Sequence, residues 1–353
     1  MIHDVAIAGG GPAGLAAAIR CAERGFRSVV LERAAPPPDK ACGEGLMPSG
    51  LRELHALGVR PAGMPFHGIR YLQENRAVEA RFCGGSGLGI RRTDLWAALH
   101  QRALAAGAEV RRAAVLAARA HDDRVEIDTD AGAISARLLV AADGMHSPLR
   151  RAAGLDGAPP ARSRFGLRRH FSLAPWSDLV EVHWARGVEA YVTPVGPQNV
   201  NVAFLWERGE ADARFDDLLG RFPPLRHRLA GAPAASEVRG AGPLEQRVRS
   251  RVGPRLALIG DAAGYVDAIT GQGLSLAFTA AGLLARALPQ DLSADLRPAL
   301  EQYDASLRRP WLRYALPAHA LVALSRRPTL RHAAIHAAGT IPGAFAALVR
   351  VVG

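Results

Sequence analysis

The fold of this chain is decided by residues 5–14, which read VAIAGGGPAG. The apolar start predicts a short strand buried on both faces, and glycines then follow in the spacing G-x-G-x-x-G. Gly9 permits a tight turn, Gly11 lets the backbone approach a pyrophosphate, and Gly14 lets the next helix pack closely on the strand. We therefore predict a dinucleotide site in which the phosphates lie at the N-terminus of that helix.

The residues that follow support the same interpretation. Residues 15–23 have helical composition, and residues 28–31, which read SVVL, predict a second strand. Glu32 follows this strand, eighteen residues after Gly14. A carboxylate at this position accepts both ribose hydroxyls of an adenosine and repels a 2′-phosphate.

Two later motifs indicate which dinucleotide binds. Residues 142–150 read ADGMHSPLR and begin with an Asp-Gly turn, and residues 258–264 read LIGDAAG and end an apolar strand with Gly-Asp. Asp261 is placed to bind a ribityl hydroxyl. The TGQG turn at residues 270–273 precedes a predicted helix and offers backbone N–H groups to the N1–C2=O edge of a reduced flavin, where negative charge accumulates. Together these motifs predict non-covalently bound FAD.

In this order the motifs resemble the FAD-binding set of the flavoproteins with the para-hydroxybenzoate-hydroxylase fold. That superfamily includes aromatic hydroxylases, geranylgeranyl reductases and flavin halogenases, and the resemblance extends to about Leu288. It implies an α/β fold with a Rossmann-like FAD-binding domain, an inserted antiparallel β-sheet as substrate domain, and C-terminal helices. It also implies that Arg92 reaches the phosphates and that the backbone of Val115 meets the adenine. The FAD-binding residues that it implies are Gly9, Gly11, Ala13, Gly14, Glu32, Arg33, Cys42, Gly43, Glu44, Gly45, Arg92, Val115, Asp143, Asp261, Gly271, Gln272, Gly273 and Leu274.

Two segments bear on the finer branch of the superfamily. Residues 40–46, KACGEGL, and residues 191–196, YVTPVG, resemble segments of geranylgeranyl reductases that run past the flavin and beside the substrate. The tryptophan of the second segment is missing here, and the His and Pro that hydroxylases carry after GDAA are also replaced. The candidate catalytic residues are Cys42, Tyr191 and His170, and each is also explained as a packed residue of its loop or strand.

The order of the segments predicts a discontinuous domain. Nucleotide-type strands recur at both ends of the chain, and alternating strands lie between them. We expect Ser49 and Thr93 to cap helices. We also expect breaks in the C-terminal helices at Pro289, Pro298, Pro310, Pro317, Pro328 and Pro342. The predicted FAD-binding domain comprises residues 1–66, 92–160 and 243–290, the substrate domain comprises residues 67–91 and 161–242, and the C-terminal helical region comprises residues 291–353.

Composition narrows the classes of function. The chain has 353 residues, and 44 Lys and Arg against 33 Asp and Glu give a net charge of +11. Lys40 is the single lysine and the arginines are scattered, so nucleic-acid binding is not expected. The three cysteines lack metal-ligand spacing, so we expect no metal site and a cytoplasmic location. The C-terminal helices, rich in leucine and arginine, fit either a cap over the substrate domain or a peripheral membrane contact.

The resemblance implies the activity that we favour, which is an NAD(P)H-dependent monooxygenase. It hydroxylates or epoxidises an apolar or aromatic small molecule through a flavin C4a-hydroperoxide. NAD(P)H is then a transient electron donor, because the chain contains a single dinucleotide fingerprint. The first alternative is a geranylgeranyl-reductase-like enzyme that reduces double bonds of isoprenoids or other alkenes. The second alternative is a flavin-binding redox partner without a small substrate of its own.

Overall fold

The structure is a computed structural model that describes residues 2–74, 76–160, 163–207 and 214–340. Residues 341–353 of the predicted C-terminal helical region lie outside the described residues. The same holds for the parts of the predicted substrate domain that fall on residues 161–162 and 208–213.

Strands and helices alternate at both ends of the chain, and strands dominate its middle. The described strands are β1 (Ile2–Ala8), β2 (Ser28–Glu32), β3 (Gly45–Leu46), β4 (Met64–Phe66), β5 (Gly68–Gln73), β6 (Arg76–Arg81), β7 (Gly87–Gly89), β8 (Glu109–Arg112), β9 (Val115–Ala120), β10 (Val125–Thr129), β11 (Gly132–Ala141), β12 (Arg164–Ser172), β13 (Val180–Ala185), β14 (Val188–Gly196), β15 (Asn199–Glu207), β16 (Arg239–Ala241), β17 (Val252–Gly253) and β18 (Leu256–Leu258). The described helices are α1 (Pro12–Glu23), α2 (Pro48–Ala56), α3 (Arg92–Ala105), α4 (Pro148–Ala152), α5 (Phe215–Gly220), α6 (Pro223–Arg228), α7 (Gly273–Ala287), α8 (Arg297–Ser325) and α9 (Pro328–Thr340).

An eight-stranded sheet forms the nucleotide-type part of the molecule. Its order is β17-β18-β11-β1-β2-β8, and the hairpin of β9 and β10 joins it at β11. The pairs that β1 makes with β2 and β11 are parallel, as are β2 with β8 and β11 with β18. Val5 and Ile7 are fully buried because α1, α3 and α7 cover that face of the sheet. This arrangement confirms the predicted Rossmann-like unit.

A seven-stranded sheet forms the inserted part, in the order β16-β12-β15-β14-β13-β5-β6. Neighbouring strands are antiparallel except for the parallel pair of β5 and β13. One face packs on α5 and α6, where the rings of Phe204 and Phe215 lie 4.9 Å apart. The small sheet β3-β7-β4 packs on β14 of the seven-stranded sheet.

Two expected helix caps are wrong. Helix α2 begins at Pro48, which suits a first helical position, so Ser49 lies inside the helix and its buried hydroxyl has no hydrogen-bond partner among the described residues. Helix α3 begins at Arg92, one residue before Thr93. The Arg92 N–H donates to Glu44 Oε1 at 2.9 Å, so a carboxylate from another loop caps this helix.

The expectation that prolines break the C-terminal helices is also wrong for Pro310 and Pro317. Both lie inside α8, which continues for 29 residues. Each proline removes a backbone donor, but the fully buried Tyr303 and Tyr314 anchor the helix on either side of Pro310. No helix among the described residues is both long enough and apolar enough to cross a membrane.

Candidate active site

The glycine turn after β1 leaves unfilled space beside the start of α1. A Cβ on Gly14 would lie 1.9 Å from the carbonyl oxygen of Gly9, so the close packing predicted for Gly14 is present. A Cβ on Gly11 would instead have an Arg92 guanidinium nitrogen, at 3.9 Å, as its nearest atom. Free N–H groups at a helix start, an open place beside them and a nearby guanidinium suit a pyrophosphate. The residues therefore fit the phosphates of FAD.

Glu32 is held beside this turn by two backbone groups. Its Oε2 accepts from the Gly10 N–H at 2.7 Å, and its Oε1 accepts from the Ala34 N–H at 2.8 Å. Each carboxylate oxygen keeps a further lone pair, so both remain able to accept from ribose hydroxyls. Arg33 is exposed beside it, and Val115 lies at the start of β9.

Asp261 lies on the loop that follows β18, next to the glycine turn. A Cβ on Gly260 would come 2.7 Å from Cβ of Ala13, so this loop contacts the start of α1. Burial raises the pKa of Asp261, and the charges of Arg92 and Lys40 act in the opposite direction. Asp261 therefore sits in a buried place with two cations near it.

Lys40 is a residue that the predicted FAD set omits. Its Nζ lies 4.0 Å from the position of a Cβ on Gly144, so the side chain extends from its own loop toward the Asp-Gly turn. Partial desolvation and Arg92 lower the pKa of Lys40, while Glu32 and Asp261 raise it. In the same turn Asp143 Oδ2 accepts from the Leu149 N–H at 3.4 Å, and burial raises its pKa.

The TGQG turn at residues 270–273, which we call the flavin turn, approaches the loop that carries Cys42. Gly271 has a φ of +64°, which favours glycine, and a Cβ there would lie 3.8 Å from the carbonyl oxygen of Gly45. Helix α7 begins at Gly273, after Gln272 and before the half-buried Leu274, as predicted. The turn before α7 and Gly45 therefore lie next to each other.

Buried polar contacts tie residues 39–45, which we call the flavin loop, to the seven-stranded sheet. Glu44 Oε2 lies 2.5 Å from Nε2 of His170, and both side chains are almost completely buried. The His170 Nδ1 lies 2.9 Å from the hydroxyl of Ser236. Asn201 donates to the carbonyl oxygen of Cys42 at 2.9 Å. These contacts support a positioning role for His170, and its catalytic role remains a prediction.

Cys42 faces the same region, and its chemistry is that of a thiol. Burial raises the pKa of Cys42, so the sulfur stays protonated at neutral pH. Its Sγ accepts from the Glu44 N–H at 3.4 Å. Nothing in this geometry marks Cys42 as a nucleophile, and its assignment also remains a prediction.

Four polar side chains from β12, β14 and the loop before Gly271 form a second buried cluster, which we call the acid cluster. The Arg164 guanidinium lies 3.0 Å from Oε2 of Glu189 and 3.3 Å from Oδ2 of Asp267. The Tyr191 hydroxyl donates to Oε2 of Glu189 at 2.6 Å. The guanidinium of Arg164 is thus shared by two carboxylates, and one of these also accepts the hydrogen bond of the phenol.

The acid cluster joins the seven-stranded sheet to the predicted flavin turn at residues 270–273. Arg164, Glu189 and Tyr191 come from β12 and β14, whereas Asp267 precedes Gly271 by four residues. Burial raises the pKa of Asp267 to about 6, with Arg164 acting against the increase. Burial and the charge of Glu189 raise the pKa of Tyr191 well above its usual range.

Apolar side chains surround Tyr191 on two sides. One group includes Phe66 of β4, Val182 of β13 and Leu324 of α8. The other group, formed by the loop before Gly271 and by α8, includes Ile269. Helix α8 thus packs on the same apolar cluster as Tyr191.

The fold and this site define an FAD-dependent oxidoreductase. The chain belongs to the family described as FAD binding domain, whose model matches residues 3–312. Comparison with curated proteins finds a menaquinone reductase of Mycolicibacterium smegmatis, which is 29% identical over 77% of this chain and 72% of its own length. The digeranylgeranylglycerophospholipid reductase 1 of Methanopyrus kandleri is 31% identical over 78% of each chain. The 3-demethoxyubiquinol 3-hydroxylase of Escherichia coli is 29% identical over 78% of this chain and 76% of its own length.

Solved structures share the fold at lower sequence identity. A flavoprotein/dehydrogenase from Cytophaga hutchinsonii superimposes with a TM-score of 0.85 and 19% identity, over 99% of this chain and 92% of that one. A flavin-dependent brominase gives a TM-score of 0.82 and 18% identity, over 100% of this chain and 93% of that one. At such identities the likeness confirms the fold alone. The relatives include both reductases and a hydroxylase, so they leave the choice of reaction open.

Proposed function

We propose that the protein reduces carbon–carbon double bonds in the side chain of an isoprenoid lipid. The acid cluster carries this proposal, because saturation of a double bond needs a proton as well as a hydride. FAD, when bound and reduced, supplies the hydride. The proton has to come from a group that keeps it in a water-poor, apolar site, and Tyr191 is such a group.

Tyr191 supplies that proton in the proposed reaction. Its raised pKa keeps the phenol protonated at any working pH, and its O–H, which now points to Glu189, turns to a substrate carbon. The phenolate left behind lies close to the Arg164 guanidinium, whose charge stabilises it. Solvent protons return to Tyr191 through the carboxyl groups of the cluster, of which Asp267 has a pKa of about 6.

The apolar groups around Tyr191 support the class of substrate. An isoprenoid chain offers only carbon and hydrogen, and it gains free energy by burial against such side chains. The names of two relatives also pair reduction with isoprenoid lipids, a menaquinone and a digeranylgeranylglycerophospholipid. We also predict that NAD(P)H is the electron donor and that the protein is located in the cytoplasm.

The monooxygenase favoured from the sequence is the second candidate, and the hydroxylase relative favours it. The deciding experiment uses the FAD-loaded protein, reduced with dithionite under argon and mixed with menaquinones or geranylgeranyl lipids. We expect a mass gain of two hydrogens that persists after reoxidation in air, whereas a quinol would return to its starting mass. Product that forms only with O₂ and contains its oxygen would contradict the proposal, and so would absence of any product.

A matched pair of variants tests Tyr191 itself. We expect Tyr191→Phe to lower the rate of saturation by about 10²–10⁴, the usual contribution of a positioned proton donor, while FAD binding is unchanged. Tyr303→Phe is the control, because it removes a phenol hydrogen bond of similar length, 2.7 Å to the Leu258 carbonyl, away from the site. An equal loss of rate in both variants would point to stability rather than to proton transfer.

A further inference from the structure

Helix α8 has a second face that the packing of the site does not use. Its inner side, with Tyr314, Ala318 and Leu321, lies on the loop that precedes the flavin turn. On the outer side Leu312 is 44% exposed and Leu316, one turn later, is 65% exposed. Large exposed apolar side chains that neighbour each other on one helix face mark an interaction surface. We call this outer side, together with its flanking arginines, the α8 surface.

Positive charge surrounds the two leucines. Arg308, Arg309 and Arg313 are exposed on the same part of α8. In the described part of the chain none of the three forms an ion pair. Residues 305–340 contain no aspartate or glutamate, so no acidic side chain of this segment neutralises them. The surface therefore combines apolar area with a concentration of fixed positive charge.

We infer that the α8 surface binds the face of an anionic lipid bilayer. Leucine side chains that enter the boundary between headgroups and acyl chains gain by burial, and guanidinium groups beside them gain from negatively charged headgroups. A second copy of the chain would bring like charges together at this face, so self-association through it is disfavoured. The surface has no acidic patch with which to pair.

The α8 surface lies next to the proposed substrate site, so the membrane contact would bring a lipid substrate close to that site. This part of the inference rests on the proposed function. Leu316 lies one residue from the buried Ala315, which belongs to the apolar group over the acid cluster. One helix thus separates the bilayer from the substrate site. An isoprenoid substrate dissolved in the bilayer would have to pass only the edge of α8 to reach Tyr191.

Vesicle flotation tests the contact without using activity. The FAD-loaded full chain is mixed with substrate-free vesicles of phosphatidylcholine, with and without phosphatidylglycerol. We expect flotation with the anionic vesicles at low salt and release as sodium chloride is raised. Absence of flotation at low salt would overturn the inference. Because the vesicles contain no substrate, this result is independent of the proposed reaction.

Paired variants test the place of the contact. Leu316→Glu should abolish flotation, whereas Leu116→Glu, at an equally exposed leucine of β9, should float like the wild type. The triple variant Arg308→Gln, Arg309→Gln and Arg313→Gln should lower partitioning on the order of a hundredfold. The control triple variant removes three exposed arginines elsewhere, which are Arg60, Arg112 and Arg226.

Two results would overturn the inference even if the wild type floats. Equal losses in both triple variants would show that the overall charge of +11, and not the α8 surface, drives binding. A dimer in analytical ultracentrifugation that Leu316→Glu dissociates would assign the surface to a second copy. As a control, Leu316→Glu should still turn over a short, soluble substrate, which would show that its loss of flotation does not come from damage to the site.

Discussion

Gly11 and Gly14 belong to one motif, but a side chain would meet different surroundings at the two positions. At Gly14 a Cβ would collide with backbone at 1.9 Å, and at Gly11 it would enter open space. One glycine is therefore needed for the fold, and the other is needed for the ligand that occupies the space. The motif alone does not separate these two requirements.

We expect Gly11→Val to fold normally and to lose FAD, because its methyl groups would fill the place of the phosphates. Gly14→Ala should instead destabilise the apoprotein, because the Gly9 carbonyl oxygen cannot move without breaking the turn. Absorbance at 450 nm after gel filtration and thermal unfolding of the apoprotein check the two expectations. Full FAD occupancy in Gly11→Val would show that the phosphates lie elsewhere.

The carboxyl group of Asp267 makes stability depend on pH. Burial raises its pKa from an ordinary value of 3.8 to about 6, so between these values the folded chain holds a proton that the unfolded chain has lost. Through this group the free energy of unfolding falls by up to about 3 kcal/mol as pH rises from 4 to just above 6. In Asp267→Asn this decrease should be absent. The check is to measure the melting temperatures of the wild-type and Asp267→Asn apoproteins between pH 4 and pH 7. A constant difference between the two proteins would contradict the raised pKa.

At the scale of elements, the flavin loop is held in place by the neighbouring sheet more than by its own residues. Glu44 adopts a left-handed backbone conformation with a φ of +58°, which is uncommon for a glutamate. Its side chain compensates by joining the start of α3 to His170 of β12. The loop is thereby coupled to the substrate sheet.

We expect Glu44→Ala to weaken FAD binding by about ten- to a hundredfold, the range for loss of a charge-assisted hydrogen bond. Glu44→Gln should recover part of the affinity, because an amide oxygen can still accept from the Arg92 N–H. Titration of the apoproteins with FAD measures both effects. Unchanged affinity in Glu44→Ala would mean that the loop does not contribute to the cofactor site.

The sequence predicts elements whose signals are local, and it misses those that depend on distant contacts. Glycine spacing and an apolar strand are sufficient to place α1, and the same holds for the start of α7 at Gly273. The caps of α2 and α3 were missed because Pro48 and a distant Glu44 determine those helix starts. The acid cluster was missed because its members come from β12, β14 and the flavin turn, and only the packed sheets bring them together.

At the scale of the whole molecule, the chain connects the two large sheets repeatedly. The chain passes from the first sheet to the second and back more than once, because β5 and β6 lie between β2 and β8 in sequence. Two buried polar connections, Glu44 with His170 and Arg164 with Asp267, also tie the seven-stranded sheet to loops that follow β2 and β18 of the first sheet. Breaking one sheet would leave unpaired charges buried in the other.

We therefore expect a single thermal transition in which both sheets unfold together. In a variant whose other four tryptophans are replaced by phenylalanine, the fluorescence of Trp96 reports on the first sheet, because its N–H donates to the Gly10 carbonyl, and circular dichroism reports on all strands. Added FAD should raise both midpoints equally, since a ligand that binds only the folded state stabilises the whole unit. Two separate midpoints, with only one that responds to FAD, would show that the sheets are independent.

Lys40 is the only lysine of the chain, and its side chain is exposed in the flavin loop. An endoproteinase specific for lysine can therefore cut the protein at one peptide bond only, which follows residue 40. We expect bound FAD to shield that bond, since Lys40 extends toward the Asp143–Gly144 turn across the open place for the cofactor. The rate at which the two fragments appear on a gel would then report how much of a preparation is loaded, without any measurement of colour or turnover.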